Sequence, residues 1–328
     1  MPTIKEIAAM ANVSRSTVSR ALNKSGYVSE DARKRIDKVI EDTGYIPSEH
    51  AKSLRTKKTK VIGVILPTIQ TETSSKIVSG IDQELAKQGY QILLANTNLE
   101  QEKELDYLDL LKVRQVDGIV LVATNTEPQL VEKINALDIP VVAIGQELEG
   151  VTSIVYDDFH ASKELTSLFI EEGHTRIGFI GVDETDRAVG LQRKQGYLEA
   201  MKEHQLNVKP DWIQKAVFDI DSGRDAMKKM LALPETPPTA VFAVTDRLAI
   251  GAMSLLKERN IQIPADMAVA SIGASEISQY VDPPLTTIDY QNKKAGEQAA
   301  RQILHVLHQK ESLKKIILDY RLIKRGSV

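Results

Sequence analysis

The spacing of apolar residues changes once along the chain, near residue 60. Before it, apolar positions recur at helical spacing. Ile4, Ile7, Ala8 and Ala11 form one stripe, Val18 and Leu22 a second, and Ala32, Ile36, Val39 and Ile40 a third. Thr3 with Glu6 fits a capping box, Ser14 is placed to cap the stretch "SRSTVSRALN", and Ser29 opens a third helix that ends at Gly44. Two short helices joined by a tight turn and braced by a third predict a helix-turn-helix domain.

From Val61 onward the pattern is one of continuous apolar runs of strand length: "VIGVIL", "YQILLANT", "GIVLVAT", "VVAIG", "RIGFIGV", "AVFAVT" and "VASIG". They alternate with helical stretches at 75–88, 101–114 and 246–260. Strands without polar alternation are covered on both faces, which predicts doubly wound parallel sheets. The remaining length is generous for one sheet and suits two lobes. The fold class is therefore α/β: an all-α helix-turn-helix headpiece at 1–46, a linker at 47–60, and a two-lobed body at 61–328. Lobe 1 is expected at about 61–159 and 290–319, lobe 2 at about 160–289 and 320–328.

Charge sharpens this division. Residues 1–60 hold 13 Lys and Arg against 7 Asp and Glu, whereas the remainder holds 29 against 38. A basic head on an acidic body points to a polyanionic partner for the head. The chain has no cysteine, so disulfides, thiolate nucleophiles and cysteine metal sites are excluded. Neither an arginine-led leader nor an apolar run of bilayer length is visible, and the expected location is cytoplasmic, with no membrane partner.

Enzyme signatures are missing. There is no GxxxxGK[ST] phosphate loop, no GxSxG elbow and no HExxH. Asp157 and Asp158 are consecutive and would diverge on a strand, and His305 and His308 share a helix face without further ligands. The chain reads as a non-enzyme that needs no cofactor and no metal.

In a helix-turn-helix the exposed N-terminal residues of the second helix enter the major groove. Arg15, Ser16 and Arg20 are the base-reading candidates, because arginine binds guanine bidentately and serine is permissive. Thr17 and Ser19 are placed to donate to phosphates, and Thr3, Ser14, Asn23 and Ser29 complete the DNA-contact set. A helix whose arginines are merely solvated is the competing reading, and the basic charge and the bracing third helix weigh against it.

The stretches "TIKEIAAMANVSRSTVSRALN" and "VSEDARKRIDKVIEDTGYIPS" resemble the headpiece of the LacI/GalR transcriptional regulators. The body continues the match with "VDGIVL", "GHTRIGFIG", "AVTDRLAIGAM", "PPLTTIDY" and "RLIKRGS". This resemblance implies a homodimeric repressor that binds a near-palindromic double-stranded DNA operator. It also implies a body shaped like a periplasmic sugar-binding protein, with a small effector held between its lobes. No leucine heptads follow "RLIKRGSV", so a dimer is the expected assembly.

Ligands of parallel α/β sheets bind beyond the carboxyl ends of the strands. That rule selects Pro67, Thr68, Thr71, Thr73, Thr124, Gln146 and Asp158 on the first lobe. On the second lobe it selects Asp186, Arg187, Arg193, Thr245 and Asp246, and Tyr290 closes the set. Arg193 fits the family's effector-contacting arginine in "RKQGY", Asp158 matches a family acidic position, and Asp246 reads equally as a helix N-cap. Two departures from the family stand out: Gly273-Ala274 where many members carry an aspartate, and "QTETSSK" where many carry two aromatics. With these, the body is most similar to repressors of sucrose and trehalose operons. The effector implied is a sugar or sugar phosphate that releases the operator, with Arg187 and Arg193 as phosphate partners. A purine corepressor or a phosphocarrier-dependent global regulator of the same family is the alternative.

The segment "PSEHAKSLRTKKTK" matches the family's hinge helix. Ser48 is placed to cap it and Leu54, with Ala51 beside it, to wedge into the minor groove. Lys52, with Arg55, Lys57, Lys58 and Lys60, is placed to meet phosphates.

Overall fold

The computed structural model describes residues 2–23, 25–45, 58–233, 236–308 and 313–328. Ala51, Lys52 and Leu54 lie outside them. The chain divides into two compact units, Met1–Thr59 and Lys60–Val328.

The first unit contains α1 (Ile4–Met10), α2 (Arg15–Asn23) and α3 (Glu30–Thr43). The capping box forms: Glu6 N donates to Thr3 Oγ1 at 3.4 Å, and Thr3 N to the Glu6 carboxylate at 2.6 Å. Ser29 caps α3, and Gly44 ends it at φ +60°, the left-handed cap that glycine adopts without a Cβ clash. Ile7, Ala8, Ala11, Val18, Ala21 and Ile36 make one small core between the three helices.

The second unit holds two six-stranded sheets. The first comprises β1 (Val61–Leu66), β2 (Gln91–Asn96), β3 (Gly118–Val122), β4 (Val141–Ile144), β5 (Thr152–Tyr156) and β11 (Lys315–Leu318). They run parallel in the order β11-β5-β4-β3-β1-β2. The second comprises β6 (Ile177–Gly181), β7 (Ile213–Lys215), β8 (Ala240–Ala243), β9 (Ala268–Ile272), β10 (Thr286–Asp289) and β12 (Arg321–Ile323). Its order is β12-β10-β9-β8-β6-β7, with β12 alone antiparallel to its neighbour. The central strands β6, β8 and β9 are buried along their whole length and β3 in all but its last residue, as their unbroken apolar runs require.

Helices α4 (Glu72–Ala86), α5 (Gln101–Val113) and α6 (Pro128–Asn135) belong to the first sheet, and α7 (Asp158–Glu171), α8 (Arg193–Glu203), α9 (Ile220–Leu231) and α10 (Asp246–Glu258) to the second. A π-helical turn, Arg187–Gln192, leads into α8. The last helix, α11 (Asn292–Leu307), returns to the first sheet and packs against α4. That packing is backbone to backbone: a Cβ on Gly80 would meet Lys293 O at 2.0 Å, and one on Gly296 would meet Ile77 O at 2.0 Å.

The chain crosses between the sheets three times, after β5, β10 and β11. Each crossing carries a tyrosine: Tyr156, Tyr290 and Tyr320.

Candidate functional site

In the first unit, α2 buries Val18 and Ala21 and leaves Arg15, Ser16 and Arg20 exposed. Its outward face therefore carries three groups suited to reading bases, Arg15 and Ser16 in its first turn and Arg20 in its last. Ser14 starts the helix by accepting from Thr17 N at 3.1 Å, and its hydroxyl meets those of Ser16 and Thr17 at 2.7 and 2.8 Å. The other candidates have local duties. Thr3 and Ser29 use their hydroxyls as caps, and the Asn23 amide turns back to Ser19 O at 2.6 Å.

In the second unit, a cavity of about 220 Å³ opens where the carboxyl ends of both sheets face each other. Pro67, Thr68, Thr71, Thr73, Thr124, Gln146 and Asp158 line it from the first lobe's strand ends. Asp186, Arg193, Thr245, Asp246 and Tyr290 line it from the opposite side.

Arg187 is a correction. It is exposed at the start of the π turn and lines a separate cavity of about 1100 Å³, so the two arginines expected to share a phosphate do not converge. The reason is geometric: the π turn places six residues between Asp186 and Arg193, and of these Ala188 and Val189 line the smaller cavity while the Arg187 side chain is turned out of it.

Arg193 and Asp158 form the centre of the site. Both are buried, at 6% and 4% exposure, and Arg193 Nε donates to Asp158 Oδ1 at 2.6 Å. A second guanidinium nitrogen donates to Val244 O, and Tyr290 Oη donates to the same Asp158 oxygen at 2.9 Å. Burial opposes the charge on Arg193, but Asp158 beside it supports it, and the guanidinium is held above its ordinary value. Burial, together with the Asp158 charge, pushes the Tyr290 phenol well above 10.0. Tyr290 stacks on Tyr156, whose hydroxyl donates to Asn292 Oδ1 at 2.8 Å.

Asp246 also differs from expectation. Thr245 is the cap of α10, accepting from Leu248 N at 3.4 Å, and Asp246 is the first helical residue. Its carboxylate accepts from Ser271 Oγ, Ser275 N and Ser275 Oγ at 2.6 Å each, and from Thr287 Oγ1 at 2.7 Å. This explains the glycine at position 273: a Cβ there would meet the Asp246 carboxylate at 3.1–3.2 Å.

Among the described residues, four hydrogen bonds join the lobes around the cavity. Gln146 Nε2 donates to Asp186 Oδ1 at 2.7 Å and Glu276 N to the Glu72 carboxylate at 2.6 Å. Lys76 Nζ reaches Ala274 O at 3.2 Å, and Arg247 reaches Gln70 O at 3.3 Å. Asp186 also accepts from Val189 N at 2.9 Å, and burial raises its pKa against the lowering effect of these donors.

Tyr156, Phe218, Ser275 and Asn292 line the cavity without having been singled out from sequence. Asn292, two residues past Tyr290, is within reach of the strand-end rule. Phe218 carries no such signal.

A helix-turn-helix unit and an α/β body with a cavity at its strand ends define a class: DNA-binding transcriptional regulators with a small-molecule site. Residues 3–48 match the family described as bacterial regulatory proteins, lacI family, and residues 59–326 match periplasmic binding proteins and sugar binding domain of LacI family. The HTH-type transcriptional repressor PurR of Actinobacillus pleuropneumoniae serotype 3 (strain JL03) is 34% identical over 306 residues, covering 93% of this chain and 90% of that one. Among solved structures, the transcriptional regulator CelR in complex with cellobiose superposes with a TM-score of 0.75 at 26% identity, over 100% of both chains. The lac repressor dimer bound to operator and the anti-inducer ONPF does so with a TM-score of 0.90 at 21% identity, over 99% of this chain and 98% of that one. The chain belongs to the LacI family, and it is a DNA-binding transcriptional repressor rather than an enzyme.

Proposed function

We propose that this repressor controls a sugar-utilisation operon and is released from a palindromic operator when a neutral sugar, of sucrose or trehalose type, enters the cleft. The observation that carries the reading is the charge balance of the cavity wall. Glu72, Asp158, Asp186 and Asp246 face Lys76, Arg193 and Arg247, and Arg193 is already paired with Asp158. Among the described residues Arg247 reaches only Gln70 O and its Nε has no partner, so a doubly charged phosphate buried there would find a single free guanidinium rather than a pair, whereas uncharged hydroxyls pair well with carboxylates beside aromatic rings. The neutral sugar is therefore preferred over its phosphate.

Operator reading is assigned to Arg15, Ser16 and Arg20 of one headpiece and their symmetry mates, acting in the cytoplasm. A homodimer suits the edge strand β2, where Leu93 and Leu94 are 39% and 46% exposed. Effector and operator then oppose each other through a single coupling free energy, typically about 1–3 kcal/mol.

A purine corepressor is the second reading, favoured by the relatives named PurR. A thermal-shift panel of sucrose, trehalose, their 6-phosphates, other sugars and purines, followed by operator binding with each hit, separates the two. A neutral sugar that raises the melting temperature and releases operator supports the proposal. A purine that stabilises the protein and tightens operator binding, with no sugar active, overturns it.

A further inference from the structure

We infer that the wall at Thr124 recognises a hydrogen-bond donor of the effector, and that Glu104, which does not line the cavity, sets this polarity as a positioning residue acting through Thr124. The inference rests on the small-molecule reading of the cleft and narrows the chemistry of what enters it.

Glu104 sits on α5 at 1% exposure. Its Oε1 accepts from Thr124 N at 3.1 Å and from Thr124 Oγ1 at 2.8 Å, and its Oε2 accepts from Asn125 Nδ2 at 2.7 Å. The Asn125 amide has a fixed orientation, because its Oδ1 accepts from Glu127 N at 3.1 Å. Three donors thus converge on one side chain, and the group that satisfies all three is the acceptor-only carboxylate. Burial raises its pKa, while the two Thr124 donors work in the opposite direction.

A hydroxyl has one proton to give. Thr124 spends its proton on Glu104, so lone pairs are what its oxygen offers the cavity. The pattern repeats around the wall: Ser275 donates to Asp246 at 2.6 Å, Tyr290 to Asp158 at 2.9 Å, and Tyr156 to Asn292 Oδ1 at 2.8 Å. Each of these hydroxyls has a buried acceptor behind it and accepts on its open side. An effector rich in O–H or N–H donors complements such a wall; a phosphate oxyanion meets lone pair with lone pair.

Replacing Glu104 by glutamine inverts one end of this arrangement. Whichever way the new amide turns, its NH2 faces either Asn125 Nδ2 or Thr124 N, donor against donor. The test titrates sucrose, trehalose, trehalose 6-phosphate and hypoxanthine by calorimetry into wild type, Glu104→Gln, Thr124→Val, the double variant and Thr124→Ser. For whichever probe binds wild type, Glu104→Gln and Thr124→Val should each weaken binding about 10-fold, the double variant no further, and Thr124→Ser should recover most of the loss. The neutral disaccharide should bind more tightly than its phosphate. Unchanged affinity in a folded Glu104→Gln protein, or a tighter phosphate ester, overturns the inference.

An effector-free arm separates this inference from the sugar reading. Melting temperatures of wild type, the two single variants and the double form a cycle that measures the Glu104–Thr124 coupling directly. Additive shifts overturn the Glu104–Thr124 wiring whatever the effector is, and they decide the matter if no probe binds. Non-additive shifts, with hypoxanthine binding and no sugar doing so, keep the wiring and sink the sugar reading alone. Should Glu104→Gln not fold, Thr124→Val against Thr124→Ser carries the binding test.

Discussion

Tyr156 and Tyr290 stack face to face, with centroids 4.7 Å apart and planes 12° from parallel, although they sit on different crossings between the lobes. Tyr320, on the third crossing, meets Tyr290 edge-on at 6.4 Å. Three aromatic rings thus run through the strands about which the lobes would move, and two of them also line the cavity. The cavity wall and the crossings between the lobes are therefore built from the same side chains. Tyr290→Phe keeps the stack and removes the bond to Asp158. It should cost about 1 kcal/mol of folding stability and weaken effector binding about 10-fold, read from urea midpoints and calorimetry.

Asp246 holds together the end of β9, the loop after it and β10, because its four donors come from Ser271, Ser275 and Thr287. Asp246→Ala leaves buried hydroxyls without their acceptor and should cost on the order of 3 kcal/mol. Denaturant unfolding checks this, and a loss below 1 kcal/mol would show that the hydroxyls find other partners.

The Asp186 carboxyl, raised by burial above its ordinary 3.8, gives a pH signature. The folded state binds this proton more tightly than the unfolded chain does. As pH rises from about 3.8 through the raised value, the folded state therefore loses stability, and above that value the penalty is complete. Asp186→Asn has no such loss, so it should gain on wild type across that window and run parallel above it. Urea unfolding of both proteins from pH 4 to 8 tests the sign; parallel curves throughout would exclude it.

The two-sheet body was legible because its central strands are unbroken apolar runs, a pattern that only coverage on both faces tolerates. The short and mixed strands were not. β7 and β12 have three residues each, and β5 and β11 contain polar positions, so their pairing is decided by tertiary contacts rather than by local pattern. In the site, strand ends could be named from topology alone, which is how Gln146 and Thr124 were found. Arg187 failed the same rule because a π turn, invisible in composition, rotates it outward. Glu104 was hidden among the acidic residues of "QEKELDYLDLLK". Its signal was present, since it shares a helical face with Leu108 and Leu111 at i+4 and i+7, both buried.

Gly80 against Lys293 O and Gly296 against Ile77 O make the α4–α11 packing intolerant of a single methyl group. Added at Gly296, it would overlap Ile77 O at 2.0 Å, and backbone cannot swing aside as a flexible side chain can. Gly296→Ala should destabilise the second unit by at least 1–3 kcal/mol and lower its melting temperature. The first unit has its own core, so its helical signal should persist beyond the earlier transition.

Operator reading and effector binding should separate by substitution. Arg15 is exposed on α2 and suited to bidentate contact with a guanine, so Arg15→Ala should cost about 1–3 kcal/mol of specific operator affinity and relax selectivity at one base pair of each half-site. Leu54→Ala, at the wedge position read from the sequence, removes no charge. It should weaken specific binding while leaving the salt slope of that binding as in wild type. Calorimetric effector binding should be the same in both variants and wild type. Operator titrations at several salt concentrations decide each case: a Leu54→Ala protein that binds operator as tightly as wild type at matched salt rules out the wedge, and a shallower salt slope would mean that the substitution disturbs phosphate contacts instead.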